Sequence, residues 1–157
     1  MTSPHQFLHP KAWKATPGYS NGMAATGRLV VTGGMVGWNA DQHFESDDFA
    51  AQAGQALRNI VAVLAEAGAA PHHIVRLTWY VTDKRAYLDS LAELGRQYKA
   101  AIGRHYPAMA LLQVVALVED RALVEIEATA VVPEAAENLP EAAENLPEAA
   151  ENLPVEA

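Results

Sequence analysis

Val124-Glu125-Ile126-Glu127 places two carboxylates two residues apart in a run of strand-forming residues. Alternate residues of a strand project to the same side, so Glu125 and Glu127 share a face about 7 Å apart. A carboxylate so placed can orient or deprotonate a water molecule. The other reading of both is a polar strand face with solvent or salt-bridge partners. Composition removes several further chemistries. The chain has no cysteine, which excludes a thiol nucleophile, a disulfide framework and any Cys-based zinc site. Its six histidines lack the spacing of a metal set: His72-His73 stands in a turn, His5 and His9 in a proline-flanked segment, and no HExxH-like pair occurs on one regular element. Neither GxGxxG nor a P-loop is present, so neither a metal nor another cofactor is expected. Arg104 and His105 precede Pro107 in a loop that is either solvated or close to a cleft mouth.

The elements that must position these groups are legible from periodicity and punctuation. Gly27 to Gly34 is a β-branched run closed by a glycine pair, predicting a strand whose end needs close backbone approach. Ser46-Asp47-Asp48 can cap a helix carrying Phe49, Ala53, Leu57, Ile60 and Leu64 on one stripe, with Gly68 and Pro71 as its stop. From Ile74 to Thr82 the apolar residues Val75, Leu77, Trp79 and Val81 alternate with Arg76, Thr78, Tyr80 and Thr82, a strand with one buried face. A second helix is expected after Asp83, with Tyr87, Leu91, Leu94, Tyr98 and Ile102 as its stripe and Gly103 near its end. Strands Ala110 to Leu117 and Ala122 to Val132 complete the order. Both helices must then cover one face of the sheet. Leu111-Leu112-Gln113-Val114-Val115 is apolar on both sides, and its second face calls for burial between subunits.

The 157 residues suffice for one domain with a substantial core, half of them being apolar. No apolar run approaches the roughly 18 residues of a membrane span, and Pro4, His5 and Pro10 do not fit a secretory pattern, so a cytoplasmic protein without membrane partners is expected. The net charge of -8 is unevenly distributed. Residues 134–157 carry seven Glu and no Lys or Arg, leaving 11 basic against 12 acidic groups in the rest. A nearly neutral domain without a Lys/Arg cluster offers no counterion-release footprint, and no nucleic-acid partner is expected. The tail itself repeats Pro-Glu-Ala-Ala-Glu-Asn-Leu three times between residues 133 and 153. Each proline interrupts any helix, and one Leu per repeat buries too little to offset ordering entropy. The organisation expected is an arm at 1–14, a domain at 15–132 and a disordered acidic tail at 133–157; a tail docking through Leu139, Leu146 and Leu153 is the alternative.

Pro107-Ala108-Met109-Ala110-Leu111-Leu112-Gln113-Val114-Val115-Ala116-Leu117, followed after six residues by Val124-Glu125-Ile126-Glu127-Ala128, resembles the C-terminal signature of the Rid family, the YjgF-type reactive-intermediate deaminases. Further likenesses are Tyr19-Ser20-Asn21-Gly22, Val30-Val31-Thr32-Gly33-Gly34-Met35, Gln55 to Ile60 with Leu64 to Ala69, and Val75 to Asp83. The resemblance spans roughly three-quarters of the chain, from Tyr19 to Val132. It implies an α+β, chorismate-mutase-like fold, a mixed sheet with two helices on one face, assembled as a homotrimer with a site between adjacent subunits.

Family members hydrolyse 2-imino or 2-enamino acids to 2-keto acids and ammonia. Their signature arginine, which grips the substrate carboxylate, is Met109 here, a thioether that cannot replace a guanidinium fork. Gly33 stands where members place a serine, and Leu111 where a small residue or cysteine is usual. The glutamate that helps hold the attacking water in the family, together with a strand carbonyl near Leu111, matches Glu125. Tyr19 and Trp38 are candidate aromatic walls, Trp38 being equally suited to interface packing. The resemblance thus implies a small-metabolite site of Tyr19, Gly33, Trp38, Met109 and Leu111 with Glu125 as catalytic residue. Such a site suits an imine or enamine other than a simple 2-imino acid. The alternative is a non-catalytic ligand-binding or partner-modulating protein on the same scaffold.

Overall fold

The computed structural model describes residues 2–134, so the repeats from residue 135 onward lie outside the described residues. In chain order the elements are β1 (Gln6–Leu8), β2 (Gly22–Ala24), β3 (Arg28–Val31), β4 (Met35–Val36), α1 (Phe49–Glu66), β5 (Ile74–Val81), α2 (Lys84–Asp89), α3 (Leu91–Ala101), β6 (Ala108–Gln113) and β7 (Val124–Val132). The main sheet runs β3-β7-β5-β6, with β4 also paired to β7. β5 and β6 are parallel, and α2 and α3 supply the crossover that a parallel pair requires. The other pairings in this sheet are antiparallel. Within the segment expected as an arm, β1 pairs with β2, and the His5 imidazole lies 2.8 Å from the Val131 carbonyl oxygen.

Asp48 starts α1 as the capping pattern predicts, its side chain accepting the Ala51 N–H at 2.8 Å. The helix stops at Gly68, whose positive φ of 68° turns the chain back while its N–H reaches the Ala65 carbonyl. Between these ends Phe49, Ala53, Leu57, Ile60 and Leu64 are all buried. They meet Leu77, Trp79 and Val81 of β5 and Val124, Ile126, Ala128 and Ala130 of β7 in a single core. The opposite sheet face carries the alternate residues of the same strands.

Four elements differ from their sequence reading. The strand read as 27–34 is two pieces on β7, with Val31 opposite Thr129 but Met35 opposite Ile126, so Thr32-Gly33-Gly34 contains one extra residue. Thr32 makes this bulge possible: its N–H bonds the Ala128 carbonyl, and its hydroxyl accepts the Ala128 N–H at 3.0 Å. The helix expected from Asp83 to Gly103 breaks at Ser90, whose N–H bonds the Tyr87 carbonyl three residues back. The strand read as 110–117 occupies 108–113. β6 is paired only as far as Val81 opposite Gln113, where β5 turns toward Asp83, the cap of α2. Val115 and Val118 beyond it are almost fully exposed. The last strand begins at Val124 rather than Ala122, whose N–H closes a turn onto the Glu119 carbonyl.

Candidate functional site

Strand register decides where the predicted site residues go. On β6, Met109 pairs with Leu77 and Leu111 with Trp79 of β5, which places all four on the helix side of the sheet. On β7, Val124, Ile126 and Ala128 are buried toward the helices, so Glu125, Glu127 and Thr129 occupy the other face. Met109 and Glu125 are therefore separated by the sheet itself.

Met109 and Leu111 line a cavity of about 170 Å³ between β5, β6 and α2–α3. Trp79 forms part of its wall, with Tyr87, Leu91, Leu94 and Tyr98 from the helices, and Gly18 approaches from the N-terminal segment. The residues read as an apolar helix stripe thus divide their role. Leu94 and Ile102 are buried, whereas Leu91 remains half exposed at the cavity. The Tyr98 hydroxyl donates to the His105 carbonyl at 2.7 Å, and its ring stacks on Tyr106 at 5.7 Å. Burial, reinforced by Tyr106, raises the Tyr98 phenol far above its ordinary pKa of 10.0, so it remains a neutral donor. Among the described residues, no Asp, Glu, Lys or Arg lines this cavity.

On the opposite face, Glu125 lies across the sheet from Tyr80 and Val36 and makes no ion pair among the described residues. Its position depends on Gly34. A Cβ at residue 34 would come within 1.8 Å of Glu125 Oε1, whereas one at Gly33 would meet nothing within 4 Å. Gly34 is the glycine that makes room for the carboxylate, although Gly33 is the one singled out by resemblance. The neighbouring Glu127 accepts from the Tyr80 hydroxyl at 3.4 Å. Partial desolvation first, and the Glu127 charge second, hold the Tyr80 phenol above its ordinary pKa. Arg76, Thr78, Tyr80, Glu125, Glu127 and Thr129 therefore form a polar field. The exposed side chains of Leu29 and Val31 flank it on β3, and Leu112 on β6.

The remaining candidates lie elsewhere. Tyr19 is exposed over a shallow hollow beside Phe7 and His9. Ser20 pins this segment to the start of β6, its N–H bonding the Pro107 carbonyl and its hydroxyl donating to the Tyr106 carbonyl at 2.6 Å. Trp38 packs on Phe44 at 6.0 Å between ring centroids, and its carbonyl accepts from Asn59. Gly33, Trp38 and Tyr19 are thus absent from the wall of the Met109 cavity in the same chain. Arg104 lines a separate hollow with Pro71 and His72. His105 is buried, with Nε2 at 2.6 Å from the Ile74 carbonyl oxygen.

The sequence pattern of the family described as Endoribonuclease L-PSP matches residues 9–132. A RutC family protein of Haemophilus influenzae is 32% identical over 126 residues, covering 80% of this chain and 96% of its own. The 2-iminobutanoate/2-iminopropanoate deaminase of Escherichia coli K12 is 33% identical over 108 residues, 67% of this chain and 80% of that protein. The chain belongs to the Rid family. Its fold is shared with the Rid family protein YyfB from Yersinia pestis, at a TM-score of 0.73 and 32% identity over 82% of this chain and 98% of that one. Against this Rid background, two positions escaped sequence reasoning. Gly34 was half visible in the glycine pair. Trp79 read only as a core residue of an alternating strand.

Proposed function

We propose that this Rid protein is a homotrimer that hydrolyses a neutral imine or enamine in clefts shared by two subunits. The observation that carries the reading is the placement of Met109 and Leu111 in an uncharged cavity on one sheet face, with Glu125 on the other. In the reaction, Glu125 takes a proton from water as the oxygen adds to the C=N carbon. That proton passes to the imine nitrogen to give a neutral carbinolamine, whose hydroxyl proton then moves to the nitrogen as the C–N bond breaks, releasing ammonia and leaving a carbonyl compound. Support for this class comes from similarity to proteins named 2-iminobutanoate/2-iminopropanoate deaminase. The cavity argues for a different substrate in this chain, because no guanidinium lines it to hold a carboxylate. A domain with 11 basic and 12 acidic groups likewise weighs against an RNA substrate, despite the family's description.

The test is ammonia release from a panel of neutral aromatic and aliphatic imines above the spontaneous rate. Glu125→Gln should lower turnover about a hundredfold, the lower end for a general base, with ligand affinity retained. Tight binding without turnover by the unmodified protein would instead establish a non-catalytic binding protein on this scaffold.

A further inference from the structure

Gly95 lies in the interior of α3 and lines the Met109 cavity together with Leu91, Leu94 and Tyr98 of the same helix. These four positions are spaced as one helical stripe, so residue 95 falls where the pattern calls for an apolar side chain. Glycine is a poor helix former and needs a reason to be there. The two common reasons do not apply. Its backbone is α-helical, unlike that of Gly18 on the same cavity, whose φ is 81°. Nor does a neighbour press on it. A Cβ at Gly95 would meet nothing within 4 Å, whereas one at Gly54 of α1 would collide with the Gln97 side chain of α3. The missing side chain therefore leaves open space on the cavity wall.

We propose that Gly95 sets the size of ligand this cavity admits, and that the group admitted is a neutral single ring. The inference rests on the cavity being the ligand half of the cleft and adds which position limits what enters it. With about 170 Å³ free, the cavity has room for one ring, since apolar cavities of roughly 150 Å³ take up benzene. Tyr87, Tyr98 and Tyr106 supply flat aromatic walls, and among the described residues no charged side chain lines it. A larger side chain at position 95 would take up the space the ring needs. Stability and binding therefore part company at this residue: a side chain there helps the helix and displaces the ring.

The experiment uses acetophenone as the probe and its N–H imine as the substrate, on the full chain and on Gly95→Ala and Gly95→Leu. Gly95→Ala should raise the melting temperature by about 4 °C. Gly95→Leu should keep the mass measured by light scattering and bind acetophenone, by calorimetry, on the order of tenfold more weakly. Its kcat/KM for the imine should fall by the same factor. Should Gly95→Leu fold poorly, Gly95→Ala still decides, because it should melt higher and yet bind acetophenone several-fold more weakly. Acetophenone affinity that neither substitution changes overturns the role of Gly95 while leaving imine hydrolysis standing. A changed mass overturns it too, by showing that a neighbouring subunit fills the space. Binding that weakens as expected without imine turnover by any of the chains upholds Gly95 and sinks the hydrolytic reading alone.

Discussion

Glu125 and Gly34 make the sharpest case at the scale of single residues. Gly34→Ala drives a methyl group into the Glu125 carboxylate, a flexible end that can swing aside. We expect a melting temperature within a few degrees of the unmodified chain but turnover reduced about as far as by Glu125→Gln. Gly33→Ala, which meets open space, should change neither. His105 gives a pH prediction. Burial foremost, then the His72 and His5 imidazoles, lower its pKa below 6.5 despite the opposing pull of the Ile74 carbonyl; desolvation does the same to His73. Lowered folded values mean that the unfolded chain binds more protons. Stability should therefore be full above 6.5 and fall as pH drops from there through the folded values. Thermal melts from about pH 7.5 to about pH 5.5 should show this decline, and His105→Gln should flatten it. The same resolution explains what the sequence hid. An alternating strand announces that Trp79 is buried but not that its N–H lacks a partner among the described residues, because the partner's absence depends on β6 and β7.

Among the elements, the Thr32 bulge is where local sequence and tertiary structure part. Thr32 reads as an ordinary strand residue, yet its hydroxyl replaces a ladder carbonyl for the Ala128 N–H, a role set by residues about a hundred positions away. Thr32→Val keeps the shape and leaves that buried N–H unpaired, so it should cost about 1–3 kcal/mol in denaturant unfolding. It should also loosen the Gly34 turn under Glu125. Helix α1 was legible to its caps because its Asp48 start and Gly68 stop are local chemistry. β6 was misplaced because its length is set by its partner: apolar residues continue to Leu117, but β5 turns away after Val81. A truncation of the core stripe, Leu57→Ala, should cost about 2–5 kcal/mol, since Leu57 is completely buried.

At the scale of the whole molecule, the sheet separates the two halves of the proposed cleft, and the flanking Leu29, Val31 and Leu112 leave its open face incompletely polar. Light scattering should give three chain masses at micromolar concentration; a single chain mass would remove the shared cleft. Shortening the chain at residue 134 should leave that mass unchanged, because an acidic repeat with a single Leu per Pro-Glu-Ala-Ala-Glu-Asn-Leu unit carries too little apolar surface to offset its ordering entropy. Hybrid clefts test the central claim most directly. Met109→Arg restores a group that can hold a carboxylate, a contact worth roughly 3 kcal/mol or about a hundredfold. It should therefore confer 2-iminobutanoate deamination that the unmodified chain performs poorly. A chain carrying both Met109→Arg and Glu125→Gln should lack that activity. Co-refolded with the unmodified chain, it should regain it, with Arg from one subunit and Glu125 from its neighbour meeting in mixed trimers. The account predicts keto-acid release well above the sum of the two proteins refolded separately. A mixture no more active than that sum would contradict it.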